Sequence, residues 1–298
     1  MANVAAPYPW QSGLWEEVVA RLEAGRLPHA LLIAGPPGWG QWEFALVLAR
    51  RILGLECVAP EEPIVHPDFR LVTIEEGKRQ ILVDQIRGLN EFAFQTASAG
   101  GAKVAIIAPA EALNANAANA LLKTLEEPPS NTHLLLGSSA AGRLLPTLTS
   151  RCQRLTLGGG GRERAREWLL AEADSGANAE AAMFFAGGAP LAALALLEEG
   201  TLGDAQTLER CLLDPHSDVG PLLRLASKYS LDELLDWWLR IAVRWESEGP
   251  GRQESFEFLD ALIGLKADAL AVPLNASLVV HSLHGRWCDL AHKSVHSN

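Results

Sequence analysis

The sequence predicts an α/β domain with a parallel sheet, followed by two all-helical domains. Three observations carry that reading. Short apolar runs alternate with amphipathic stretches over the first 157 residues. Four consecutive glycines, Gly158 to Gly161, then interrupt the chain. Beyond them every periodic segment repeats at helical spacing. Leucine-rich and β-branched strands alternating with helices imply a parallel sheet covered on both faces.

The elements follow in order. Trp15, Val18, Val19 and Leu22 fall on one helical face, and the apolar run Ala30 to Ala34 reads as the first strand. Glu43 to Leu53 is a helix with Phe44, Leu48 and Ile52 on one side. Asp68 to Ile74 reads as a strand and Ile81 to Phe94 as a helix. Lys103 to Ala108 is a short buried strand, and Ala115 to Glu127 a helix stopped by Pro128-Pro129. His133 to Ser138 and Gln153 to Leu157 complete the sheet. Arg162 to Ala173, Ala179 to Ala186 and Pro190 to Glu199 are helical, with more helices after a softer break at Gly200 to Asp204. The expected divisions are an α/β domain over 1–157, a small helical domain over 158–201 and a longer helical domain over 202–298.

Bulk properties narrow the function. The 298 residues are 48% hydrophobic and 20% charged, with a net charge of -11. An acidic chain lacks the clustered Lys and Arg that a general grip on nucleic acid requires, so a stand-alone DNA-binding protein is disfavoured. The start, MANVAAPYPWQSG, has neither the basic nor the apolar region of a signal peptide, and no apolar run reaches the roughly 20 residues of a membrane span. A cytoplasmic protein without membrane partners is expected. Cys57, Cys152, Cys211 and Cys288 are scattered, which suggests neither a disulfide framework nor a zinc site.

Residues 35 to 42, GPPGWGQW, lie between the first strand and the next helix. Gly35, Gly38 and Gly40 stand where a phosphate-binding G-x-x-x-x-G-K-[ST] loop needs its glycine-rich turn. A working loop next supplies a lysine for the β- and γ-phosphates and a hydroxyl for Mg²⁺. Here those places hold Gln41 and Trp42. An amide carries no charge, and an indole cannot ligate a hard cation. A plain strand-to-helix turn is the competing account of these glycines.

Several stretches together resemble a known family. They are Tyr8 to Trp10, RLPHALLIAGPPGWG at Arg26 to Gly40, His66-Pro67-Asp68, and GGAKV at Gly100 to Val104. NANAANALLKTLEEPP at Asn114 to Pro129 and LLPTLTSRC at Leu144 to Cys152 continue the match. On these the chain resembles the AAA+ subunits of the bacterial DNA polymerase III clamp loader, the delta prime family most closely. The resemblance is dense over the first half; the C-terminal third matches in length and helical character.

The resemblance implies an AAA+ sheet domain, a small helical lid and a helical collar through which subunits oligomerise. Active members of the family carry a carboxylate pair after the third strand, where this chain has Ala108-Pro109, with Glu111 further on. They also carry a lid arginine that senses the γ-phosphate; GGAPLAAL at Gly187 to Leu194 has none, and Leu191 is its expected occupant. With the lysine, the carboxylates and the lid arginine all absent, the expectation is a chain with no catalytic residues of its own and no productive ATP or Mg²⁺ binding. The alternative, an active clamp-loader ATPase, would need all three. The SRC motif, Ser150, Arg151 and Cys152, remains, and the resemblance makes Arg151 an arginine finger reaching a neighbouring subunit's nucleotide. The implied partners are the gamma/tau ATPase subunits and the delta subunit in a pentamer, with the sliding clamp and primer-template DNA reached through that complex. The family's four-cysteine zinc module is reduced here to LGLECVAPEEPIV with Cys57 alone, so no zinc is expected.

Other conspicuous residues have plainer readings. His66 and Asp68 resemble an acid/base pair, but Pro67 setting a turn, with Asp68 on local backbone donors, is the simpler account. Asn114 is expected to cap the following helix, rather than act as a ligand with Asn116 and Asn119. Cys152 is expected to be a buried small hydrophobe. Leu231, Leu234, Leu235, Trp238, Ala242 and Trp245 form a helical core stripe, and Trp237, off that stripe, is the candidate intersubunit contact.

Overall fold

The computed structural model describes residues 7–56, 62–98, 101–214, 216–248, 253–271 and 274–295. The described chain forms two compact units. The first holds residues 1–168 with 189–192; the second holds 169–188 and 193–298.

The first unit is built on strands β1 (Ala30–Ala34), β2 (Phe69–Val72), β3 (Lys103–Ile107), β4 (Thr132–Ser138) and β5 (Gln153–Thr156). All pair in parallel in the order β2-β3-β4-β1-β5. Helix α1 (Ser12–Glu23) precedes the sheet, and α2 (Gln41–Leu53), α3 (Val83–Phe94), α4 (Ala115–Glu126) and the short α5 (Pro146–Thr149) connect its strands. The central strands are buried on both faces, as a parallel sheet with helical crossovers requires. Alternate side chains separate into two cores. Leu31, Ile33, Val104, Ile106, Leu135 and Leu155 pack with Trp15, Val18, Phe44 and Leu48 of α1 and α2. Ala30, Leu32, Ala105, Ile107, Leu134 and Leu136 pack with Ile86, Leu89, Leu121 and Leu125 of α3 and α4. The Asn114 side chain accepts from the Ala117 N–H at 2.8 Å and caps α4 as expected, while Asn116 and Asn119 face outward.

The remaining helices are α6 (Arg162–Glu172), α7 (Gly176–Phe185), α8 (Pro190–Glu198), α9 (Leu202–Leu213), α10 (Gly220–Lys228), α11 (Leu231–Glu248), α12 (Gln253–Ala271) and α13 (Ala276–Val295). No single helix among the described residues is long and apolar enough to cross a membrane. In the second unit α11 packs against α12 on one side and against α7 and α9 on another. Leu231, Leu234, Leu235, Trp238 and Ala242 are accordingly buried. So is Trp237, at 6% exposure, set edge-on to Tyr229 at 4.9 Å and to Phe185 at 6.5 Å. This corrects its reading as an intersubunit contact: its indole is packed inside the unit against Tyr229 and Phe185. Trp245 reaches Trp287, 5.2 Å between ring centres, and the Trp287 indole N–H donates to the Leu212 carbonyl at 2.7 Å.

Candidate functional site

In a parallel α/β sheet the ligand crevice lies beyond the carboxyl ends of the strands. Here that edge presents the glycine loop after β1, Ala108-Pro109 after β3 and Ser138-Ser139 after β4. Gly38 and Gly40 adopt φ of 79° and 82°, which their lack of a side chain permits. The loop thus keeps a tight turn into α2, and its carbonyls are engaged by the chain's own donors. The Gln41 amide folds back onto the carbonyls of Gly35 and Pro36, the latter at 2.6 Å. The Gln11 amide donates to the Trp39 and Gly40 carbonyls at 2.9 and 3.0 Å, and the Trp10 indole N–H to Trp39 at 3.1 Å. The Leu191 N–H donates to the Gly38 carbonyl at 3.1 Å.

Aromatic rings fill the space around these bonds. Tyr8 stacks on Trp10 with ring centres 4.6 Å apart and planes 1° from parallel, and Trp168 meets both edge-on at 5.9 and 5.0 Å. Trp39 is 3% exposed and Trp10 7%. The glycine run after β5 belongs to this packing. A side chain at Gly161 would put Cβ 2.5 Å from the Trp10 carbonyl oxygen, and one at Gly158 would lie 3.2 Å from Pro36. At these two positions glycine serves close approach.

Next to the loop lies a cavity of about 450 Å³, lined mainly by Gln41, Trp42, Ile74, Ala108, Pro109 and Ser138. Glu111 does not supply the missing carboxylate. Its Oε1 accepts from the N–H and hydroxyl of Ser139 at 3.1 and 2.7 Å. Burial pushes its carboxyl up, but the hydrogen bonds from Ser139 outweigh that and hold it below the ordinary carboxylate value. Mg·ATP at this edge needs an ammonium at 41, a hydroxyl at 42 and carboxylates after β3. Gln41, Trp42, Ala108 and Pro109 do not fit that group.

Arg151 lies at the opposite end of the sheet. It precedes Gln153, the first residue of β5, and Gln153 pairs with Leu31 near the start of β1. Strands rise about 3.3 Å per residue, so its backbone is roughly 15–20 Å from the glycine loop along the sheet. Its Nε donates to Glu126 Oε1 at 2.9 Å, and Nη2 lies 2.5 Å from the same oxygen in an ion pair. Nη1 donates to the Thr147 carbonyl at 2.9 Å and approaches Ser150 Oγ at 3.4 Å. Cys152 beside it is partly buried, and burial pushes its thiol up to about 11, which keeps it protonated and inert as a nucleophile.

The remaining candidates are structural. The Asp68 N–H donates to His66 Nδ1 at 3.1 Å, and the Phe69 N–H closes a turn on the His66 carbonyl at 3.1 Å. The Asp68 carboxylate reaches farther than a local turn, accepting from the Ser98 N–H at 2.7 Å. Burial lowers the Lys103 ammonium pKa, and the negative Asp68 opposes that shift. Cys57 lies outside the described residues. Among the described residues no three His, Cys, Asp or Glu side chains are grouped to hold a metal. Sequence reasoning missed the roles of Gln11, Trp10 and Glu126. Tyr8 to Trp10 and the LEEPP stretch were conspicuous, but nothing in their spacing gives their partners.

Known proteins resemble this chain. A family model described as DNA polymerase III, delta subunit, matches residues 10–159. The DNA polymerase III subunit delta prime of Pseudomonas aeruginosa is 38% identical over 267 residues, covering 82% of this chain and 80% of the relative. That of Escherichia coli is 37% identical over 220 residues, 69% of this chain and 65% of the relative. Among solved structures, a DNA polymerase III gamma subunit-related protein from Thermotoga maritima superposes with a TM-score of 0.53. It covers 92% of this chain and 98% of that one at 21% identity, which shows a shared fold. The chain therefore belongs to the DNA polymerase III subunit delta prime family.

Proposed function

We propose that this chain is a non-hydrolysing subunit of the DNA polymerase III clamp loader, which places the sliding clamp on primed DNA. In this role it binds no Mg·ATP productively, occupies one place in a pentameric arc with gamma/tau ATPase subunits and the delta subunit, and supplies Arg151 to a neighbour's nucleotide. Its work is in the cytoplasm, and the clamp and primer-template DNA are met through the complex. Residues 1–157 form the AAA+ domain in this reading, 158–201 the lid and 202–298 the collar.

The observation that carries the proposal is the condition of the phosphate loop. Gln41 and Trp42 offer a phosphate neither an ammonium nor a hydroxyl for Mg²⁺, Ala108-Pro109 after β3 offer no carboxylate, and the Gln41 amide folds back onto the loop's own Gly35 and Pro36 carbonyls. The position of Arg151 supports action in trans, because a group at the opposite end of the sheet cannot reach phosphates held at this one. A guanidinium suits the task, being planar, permanently charged and able to grip two phosphate oxygens as charge develops. Replacing Arg151→Ala in the reconstituted complex tests the reading. Arginine fingers contribute roughly 10³–10⁵ in other nucleoside triphosphatases, so clear loss of ATP turnover and clamp loading is expected. Undiminished activity would refute it.

A further inference from the structure

We propose that Glu126 is the positioning residue of Arg151, fixing the guanidinium so that its outer edge is offered to the phosphate oxygens of a neighbouring chain's nucleoside triphosphate. The inference rests on the arginine-finger reading above and adds a second residue to it.

The geometry divides the guanidinium into two edges. Nε and Nη2 form its side edge; Glu126 Oε1 accepts from Nε at 2.9 Å and lies 2.5 Å from Nη2 in an ion pair. Nη1 and the second N–H of Nη2 form its end edge. That second N–H has no partner among the described residues, and Nη1 spends one N–H on the Thr147 carbonyl at 2.9 Å. The other Nη1 contact, to Ser150 Oγ, is 3.4 Å and lies beyond ordinary hydrogen-bond length. The chain therefore turns the side edge toward Glu126, while at the end edge Nη1 makes one bond of ordinary length, to Thr147, and Nη2 none among the described residues. Bidentate phosphate recognition uses two parallel N–H groups, and the end edge supplies a pair of them.

The pair is poorly explained as a stabilising contact. Arg151 and Glu126 side chains are 35% and 50% exposed, and ion pairs so open to water contribute little to stability. Orientation is a different matter. An unrestrained arginine has many rotamers, and each lost before docking favours the productive one. Glu126 closes α4 and Arg151 follows α5, so the restraint joins two helix ends rather than neighbours on one helix.

The test uses the reconstituted complex with Glu126→Ala, Arg151→Ala and the double variant. ATP turnover is measured at saturating and limiting ATP, with complex assembly measured separately. Misplacing a catalytic group by about 1 Å costs on the order of a hundredfold, so Glu126→Ala is expected to lower kcat by roughly ten- to hundredfold. KM and assembly are expected to stay unchanged, and the double variant to equal Arg151→Ala. Glu126→Gln, which keeps an acceptor oxygen and guards against misfolding, should fall between wild type and Ala. If Arg151→Ala is silent, the arginine-finger reading falls and this inference with it. If Arg151→Ala is damaging but Glu126→Ala is silent, or the two losses multiply, the positioning role alone is overturned.

Discussion

The indole N–H of Trp10 donates to the Trp39 carbonyl 3.1 Å away, tying the segment before α1 to the glycine loop after β1. Gln11 adds two bonds to the same stretch, at Trp39 and Gly40. In the role proposed, the glycine loop is thus braced by Trp10 and Gln11 as well as altered at Gln41 and Trp42. Restoring the lost chemistry at two positions should not restore the site. With Gln41→Lys and Trp42→Thr together, saturable Mg·ATP binding at about 1 mM is not expected, since Ala108 and Pro109 still offer no carboxylate. Calorimetric titration of the double variant checks this.

Trp10 should matter for stability. It is 7% exposed, stacks on Tyr8 and meets Trp168. Trp10→Ala should lower unfolding free energy by about 3–5 kcal/mol, the usual range for large aromatic truncations in a core. Denaturant midpoints of wild type and variant measure the difference.

The glycine run offers a paired comparison. At Gly161 an added Cβ would meet the Trp10 backbone at 2.5 Å, whereas at Gly159 nothing lies within 4 Å. Gly161→Ala should therefore cost about 1–3 kcal/mol as an overpacking change. Gly159→Ala should stay within about 0.5 kcal/mol of wild type. Equal melting behaviour of the two variants would mean the run is only a linker.

Cys152 gives a pH-dependent signature. Its thiol is pushed by burial from the ordinary 9.0 up to about 11. The folded state therefore favours the protonated form. That preference contributes stability fully present below pH 9, and lost as pH rises through about 11. Alkylation of Cys152 at pH 8 should be slow beside that of the unfolded chain. A rate equal to that of the unfolded chain would show an accessible, unperturbed thiol.

Much of the fold was legible in the sequence because it is periodic. The strands at Ala30–Ala34 and Lys103–Ile107 are runs of apolar residues with no alternative placement, and α4 is bounded by Asn114 and Pro128. Gln41 and Trp42 were legible against a motif of fixed spacing, and Ala108 and Pro109 only through the family resemblance. What fills the loop was not, since Trp10 and Trp39 are 29 residues apart and only tertiary packing joins them. The bond between Glu126 and Arg151, 25 residues apart, was hidden for the same reason. Trp237 was misjudged because a single helical stripe does not reveal a second packed face.

In the role proposed, Gln41, Trp42, Ala108 and Pro109 leave this chain unable to bind Mg·ATP productively. Equilibrium titration of the isolated chain with Mg·ATP, followed for phosphate release, tests it most directly. No saturable binding at about 1 mM and no release are predicted. Tight saturable binding accompanied by turnover would contradict it.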